Sequence, residues 1–154
     1  MVRAARPDDA DAIIALMHGL AAAVDDPPPS IDAAQFIRDG FGPFPWFECL
    51  VAERDARIVG YALTCRRYEA ERRLWLADLY VDPVARRQGV ARQLMVAVAR
   101  HALTLGCRAI YWDLWRSNQL GRAFYEDVGA IHMADLETWR LDAHLSPKRD
   151  SDRP

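Results

Sequence analysis

Residues 74–105, LWLADLYVDPVARRQGVARQLMVAVARHALTL, constrain the fold more than any other stretch of this chain. LWLADLYV (74–81) is a nearly continuous apolar run broken only by Asp78, the composition of a central strand covered on both faces. After Asp82-Pro83 the period changes: Val90, Leu94, Ala97, Val98, His101, Ala102 and Leu105 make an amphipathic stripe, and Gly106 stands where a C-terminal cap belongs. A strand ending at Val81 and a helix opening near Gly89 leave several N–H groups of residues 87–92 without helical partners, with the positive end of the helix dipole behind them. Such a turn is a ready anion site, strongest for phosphate or pyrophosphate. Gly89 takes a side chain out of the approach, Ala91 adds only a methyl, and Arg86, Arg87 and Arg92 supply countercharge. The competing reading is a plain helix start with a solvated basic face. A P-loop is disfavoured because its longer glycine loop and Lys-Ser/Thr are missing, and a dinucleotide site because one of three glycines is present.

The rest of the chain surrounds this unit with short elements. VRAA (2–5) reads as a strand, and Pro7 with Asp8, Asp9 and Asp11 opens a helix carrying Ile13, Met17 and Leu20. DDPPPS (25–30) ends it, and Ser30 caps a second helix with Ile31, Ala34 and Ile37 inward. DGFGPFP (39–45) is a turn-rich loop, and FECLVAE and RIVGYALTC, separated by RDA, form an antiparallel hairpin. RRYEAERR (66–73) reads as a charged loop and RAIYWDLW (108–115) as a strand. Ser117 or Asn118 caps a short helix whose core stripe is Leu120, Phe124 and Val128, and TWRLD (138–142) offers a last strand. The order predicts a mixed α/β sheet in one domain over residues 1–145, with 146–154 a polar, disordered tail.

Bulk properties narrow the partners. A formal net charge of −2 gives no reason to expect nucleic acid or an anionic membrane, so the basic cluster is a local matter. The three cysteines, Cys49, Cys65 and Cys107, each sit in an apolar run, which suits buried reduced thiols and a cytoplasmic location. No apolar run is long enough for a membrane span, and the acidic N-terminal stretch reads as mature sequence. His18, His101, His132 and His144 are too scattered for a ligand set, so no metal is expected.

VDPVARRQGVARQL resembles the acetyl-CoA signature of the GCN5-related N-acetyltransferases (GNAT family) through Arg86, Gly89 and Ala91. DGFGPFPWFECLVAE, ADLYVDP, WRSNQLGRAFYEDVGA and ETWRLD extend the resemblance over about residues 2–145, toward the diamine, spermidine/spermine and thialysine branch. The resemblance implies a central, mostly antiparallel sheet of six to seven strands flanked by four helices, with the strands at 74–81 and 108–115 splayed around a pantetheine arm. It also implies acetyl-CoA as cosubstrate, a small primary amine as acceptor, direct transfer in a ternary complex, and a homodimer.

By the same resemblance, backbone groups of Leu79, Tyr80 and Val81 pair with the pantetheine arm, and residues Arg86, Arg87, Gln88, Gly89, Val90, Ala91 and Arg92 carry the pyrophosphate. Asn118, Arg122 and Tyr125 share one face of the short helix; the resemblance puts Asn118 on the arm and Tyr125 near the sulfur, as general acid. Relatives commonly carry Glu-Asp where this chain has Ala77-Asp78, so the usual base is missing. Asp78 alternates to the opposite strand face from Ala77 and substitutes only if the strand bulges, which otherwise leaves a water chain as base. Trp46, Glu69, Glu71, Ala77 and Asp78 are the acceptor-side candidates. The arginines of 66–73, if they face the site, favour an acceptor with its own carboxylate. The competing functions are a protein or peptide acetyltransferase and an acyl-CoA-binding regulator without turnover.

Overall fold

The computed structural model describes residues 1–136. Its sheet has five strands in the order β1-β2-β3-β4-β5, where β1 is Val2–Ala4, β2 Glu48–Arg54, β3 Arg57–Tyr68, β4 Arg72–Val81 and β5 Ile110–Tyr111. β1 to β4 run antiparallel, and β4 pairs with β5 in parallel. Four helices flank it: α1 Ala10–Ala23, α2 Ala33–Phe41, α3 Val90–Thr104 and α4 Gln119–Asp127. The six to seven strands expected are therefore five among the described residues; TWRLD, the last expected strand, lies outside them.

Two apolar layers sandwich the sheet. On one face Leu94, Val98 and Ala102 of α3 pack on Leu74, Leu76 and Val81. On the other, Ile13 and Leu16 of α1 and Phe36 of α2 cover Val51, Tyr61, Leu63 and Tyr80. Gly19 lets α1 sit this close, since a Cβ there would stand 2.7 Å from the Tyr80 hydroxyl. The helical cost of that glycine, about 1 kcal/mol, is offset by the ring it lets into the core. The β2–β3 turn is the two residues Asp55 and Ala56, both with positive φ, the backbone a tight right-twisted hairpin demands. Asp32 rather than Ser30 caps α2, its carboxylate accepting from the Gln35 N–H at 2.7 Å; Ile31 and Ile37 pack on the core as expected, Phe36 is the fully buried residue, and Ala34 is exposed.

RRYEAERR is not a loop. β3 runs to Tyr68 and β4 starts at Arg72, so Arg66, Arg67, Arg72 and Arg73 all stand on paired strand ends. Arg66 pairs with Glu48, Arg67 with Glu69, and Arg73 with both Glu69 and Glu71. Cross-strand pairing of alternating charges satisfies an apparently loop-like sequence. In α4 the expected core stripe is incomplete: Phe124 and Val128 are half-buried, whereas Leu120 is 77% exposed. Cys49 and Cys107 are buried and Cys65 half-buried, all three as free thiols. No helix among the described residues is long and apolar enough to cross a membrane.

Candidate active site

β4 and β5 pair only at Leu74–Ile110 and Trp75–Tyr111, after which they part. At the same point β4 bulges: Thr64 faces Leu76 and Leu63 faces Asp78, so Ala77 is an extra residue with no partner on β3. A bulge reverses the alternation of side chains. Leu74 and Leu76 consequently face α3, while Asp78 lies on the same side as Tyr61 and Tyr80, toward α1. The residue count alone would put Asp78 under α3; the inserted residue puts it on the other face.

The gap holds a cavity of about 360 Å³. Leu76, Ala77, Asp78 and Leu79 form its β4 wall, and Trp112, Asp113, Leu114 and Trp115 the wall opposite. Asn118 and Tyr125 close one end, with Tyr61 also reaching the lining, while Met17, Leu20, Val24, Asp26, Pro27 and Pro29 roof it from the end of α1.

Asp78 accepts a hydrogen bond from the Tyr61 hydroxyl at 3.0 Å. Burial raises its pKa above the ordinary carboxylate value, and the Tyr61 bond only partly opposes this. Tyr125 is pushed up to about 12, first by burial and then by the charge of Asp78. Its ring packs on Trp112 at 4.6 Å and on Phe124 at 5.3 Å, which fixes where the hydroxyl points. Tyr61 is held fully protonated by burial and by Asp78. Two protonated phenols and one proton-hungry carboxylate therefore meet in one cavity.

Beyond the cavity, β4 presents an open edge. The Asp82 N–H donates to the Val59 carbonyl on the β3 side, so by alternation Tyr80 also faces β3 while Leu79 and Val81 direct their backbone groups outward. An extended ligand could pair there as an added strand. Gly89, with φ +77°, and Arg87, with φ +61°, turn the chain sharply into α3, whose first-turn amides have no side-chain cap. A Cβ on Gly89 would meet nothing within 4 Å, so the left-handed backbone, not crowding, calls for glycine.

The arginines of this loop are less mobile than countercharge alone would require. Arg86 donates from Nε to the Val81 carbonyl at 3.0 Å and lies over the Tyr80 ring, and Arg92 pairs with Asp127 of α4 at 2.5 Å. Arg87 stays exposed. Gln88 donates to the Val84 carbonyl and accepts from Arg54, a guanidinium that the β2–β3 hairpin delivers and that nothing in the local sequence marks.

Asn118 caps α4, its Oδ1 accepting from the Gly121 N–H at 2.8 Å, and its amide borders the cavity. Arg122 is half-buried on the same helix face but does not reach the lining. Neither Trp46, 79% exposed, nor Glu69 and Glu71 at the β3–β4 turn line the cavity, and no arginine of 66–73 does. Tyr61, Asp26 and Trp112 carried no sequence signal as site residues, because a strand-face partner, a helix end and a strand residue look ordinary in one dimension. DDPPPS offered a partial signal, a rigid acidic segment whose role as a cavity rim needed the fold.

Fold and cavity define an α/β protein that opens a slot between two diverging central strands and sets an uncapped helix start beyond it. The family model described as "Acetyltransferase (GNAT) family" matches residues 18–130, and the chain belongs to that family. Thialysine N-epsilon-acetyltransferase of Bos taurus is 32% identical over 111 residues, 66% of this chain and 65% of that protein. Spermidine/spermine N(1)-acetyltransferase-like protein 1 of Homo sapiens is 28% identical over 120 residues, 72% of this chain and 17% of the relative. The match thus spans a little under two thirds of the thialysine enzymes' length. The solved structure of AAC(6')-Iy in complex with a bisubstrate analog, CoA-S-monomethyl-acetylneamine, superposes with a TM-score of 0.76 at 21% identity, covering 92% of this chain and 97% of that one. At that identity the likeness concerns the fold.

Proposed function

We propose that the chain is an acetyl-CoA-dependent N-acetyltransferase acting on a primary amine of a small molecule. The observation that carries this reading is the β4 bulge at Ala77, which swings Asp78 into the slot beside Tyr125. The residues present fit acetyl-CoA: Leu79 offers an open strand edge beside Val81, whose carbonyl Arg86 already holds, Asn118 offers an amide, and residues 87–92 a helix start open to pyrophosphate, with Arg87 and Arg54 beside it. Acetyl-CoA supplies an activated acetyl thioester.

The residues of this chain would then manage protons. An ammonium has a pKa near about 10.4 and no lone pair, so the acceptor must lose a proton before it attacks. Asp78, its basicity raised by burial, takes that proton directly or through a water. The new C–N bond forms as the C–S bond breaks, and the electron pair leaves with sulfur. Tyr125 donates a proton to the departing thiolate and is recharged from the nitrogen's second proton, so one proton reaches solvent overall. Protonation of Asp78 also removes the charge that holds Tyr125 up, so the first proton transfer makes the second easier.

The experiment is thiol release from acetyl-CoA across a panel of diamines, amino acids and a lysine peptide. Turnover of a small amine is expected. CoA binding with no turnover on any amine would establish the regulator instead, and preference for the peptide would establish a protein acetyltransferase.

A further inference from the structure

Tyr61 carries a hydroxyl where packing alone asks for none. Its ring is fully buried in the cluster of Ile13, Leu16, Phe36, Val51 and Leu63, and a phenylalanine would fill that space without the cost of burying a polar group. The hydroxyl finds its partner in Oδ2 of Asp78, at 3.0 Å. Sheet register makes the pair: Tyr61 stands opposite Tyr80 and Leu63 opposite Asp78, so Tyr61 and Asp78 are diagonal neighbours on the face toward α1, a separation that a phenol spans. The other titratable groups around the carboxylate do not share this bond. Burial and then the Asp78 charge raise the thiols of Cys49 on β2 and Cys65 on β3, yet Cys49 turns its Sγ to the Leu50 carbonyl. Tyr80 lays its hydroxyl against Gly19 of α1, and Tyr125 of α4 senses the Asp78 charge from across the slot. Asp26 and Asp113 also line the cavity, whereas no lysine, arginine or histidine does so among the described residues. Tyr61 is the one hydrogen-bond donor to the Asp78 carboxylate among the described residues.

Resting on the transferase reading, we propose that Tyr61 is a positioning residue for the proton transfer: its hydroxyl grips Oδ2 of Asp78 and leaves Oδ1 as the atom that takes the proton from the acceptor nitrogen. In that step an N–H bond breaks, the Oδ1–H bond forms and the electron pair stays on nitrogen. Tyr61 keeps its own proton throughout, because burial and the Asp78 charge both oppose its ionisation. The grip acts in two ways. A phenol anchored in the core fixes the orientation of the group it holds. A donor aimed at a carboxylate also favours the charged form, so that Asp78 enters the reaction able to accept a proton.

Tyr61→Phe, alone and combined with Asp78→Asn, tests the assignment. The ring stays in place, so an unchanged circular dichroism spectrum and an unchanged calorimetric CoA affinity verify the fold and the donor site. In the free protein, the Asp78 carboxyl carbon followed by NMR should titrate at higher pH in Tyr61→Phe than in the wild type. Turnover is read on the panel amine with the highest wild-type kcat/KM. There the acidic limb of kcat/KM should move up in pH, and kcat on the plateau above it should fall about tenfold, the scale of one hydrogen bond to a charged group. With Asp78→Asn already present, Tyr61→Phe should change kcat by less than about twofold, since a residue that acts through Asp78 has nothing left to act on. An unmoved Asp78 titration, an unmoved limb, or equal losses in both backgrounds would reduce Tyr61 to a packing residue and overturn the proposal while leaving acetyl transfer intact. CoA binding by the wild type with no amine acetylated would instead overturn the transferase reading, and this assignment with it.

Discussion

At Asp78 burial and a single donor pull in opposite directions. Burial favours the neutral acid, the Tyr61 hydroxyl at 3.0 Å favours the carboxylate, and burial prevails. The folded state therefore binds the Asp78 proton more tightly than the unfolded chain does. Between the unfolded value, about 3.9, and the higher folded one, stability contributed by this group falls as pH rises. Asp78→Asn, whose amide oxygen still accepts from Tyr61, should flatten that fall, so its urea midpoint at pH 7 should equal or exceed the wild type's. The same substitution should lower kcat by about 10²-fold or more, because the proton acceptor is gone. In the wild type the acidic limb of kcat/KM should lie above the ordinary carboxylate range. For Tyr125, with its pKa pushed up to about 12, no alkaline limb from phenol ionisation is expected below about pH 10. Tyr125→Phe should reduce kcat by about 10²-fold with CoA affinity unchanged by calorimetry; an unaltered kcat removes Tyr125 as the acid.

Between elements, the bulge in β4 and the turn into α3 do the positioning. Because Leu76 faces Thr64 and Asp78 faces Leu63, deleting Ala77 leaves a regular ladder with every other residue in its present register. Asp78 then stays on its present face, so the deletion isolates the other effect of the bulge, the divergence from β5: the variant should keep its circular dichroism spectrum and yet lose acetyl transfer by at least about 10²-fold as the slot narrows. Retained activity would mean that the bulge is incidental. At the α3 entrance, Gly89→Ala meets no steric obstacle but places a side chain at φ +77°. A stability loss of roughly 1–2 kcal/mol by denaturant titration is expected, together with weaker CoA binding. The elements themselves were largely legible: the apolar run of β4, the 3.6-residue stripe of α3 and the Asn118 cap all stand where period and capping chemistry put them. RRYEAERR was not, because charge alternation reads the same on a loop and on two paired strand ends, and only Glu48, brought in by β2, shows that Arg66 has a partner.

For the whole molecule, the slot exists because four antiparallel strands and one parallel strand share a sheet whose last pair separates after Trp75. A ligand bridging β4, the 87–92 turn and α4 should stabilise all of them together. Saturation with CoA at a hundredfold excess over Kd should add about 2.7 kcal/mol to unfolding stability, read as a rise in thermal midpoint, and no rise would count against the assigned donor site. From its amino acids alone the chain specified a mixed α/β domain, a central strand feeding an anion-ready helix start, and a helix face bearing Asn118 and Tyr125. These are properties of neighbours along the chain, where period, caps and dipoles act locally. What the tertiary structure decided is which groups meet across the chain. A one-residue bulge, set by pairing with β3, turned Asp78 from the α3 face to the cavity, and the end of α1 brought Asp26 to its mouth. The basic strand ends were paired off, out of the slot. Register and splay depend on how a strand packs against two different partners at once, and no stretch of the sequence read by itself contains that information.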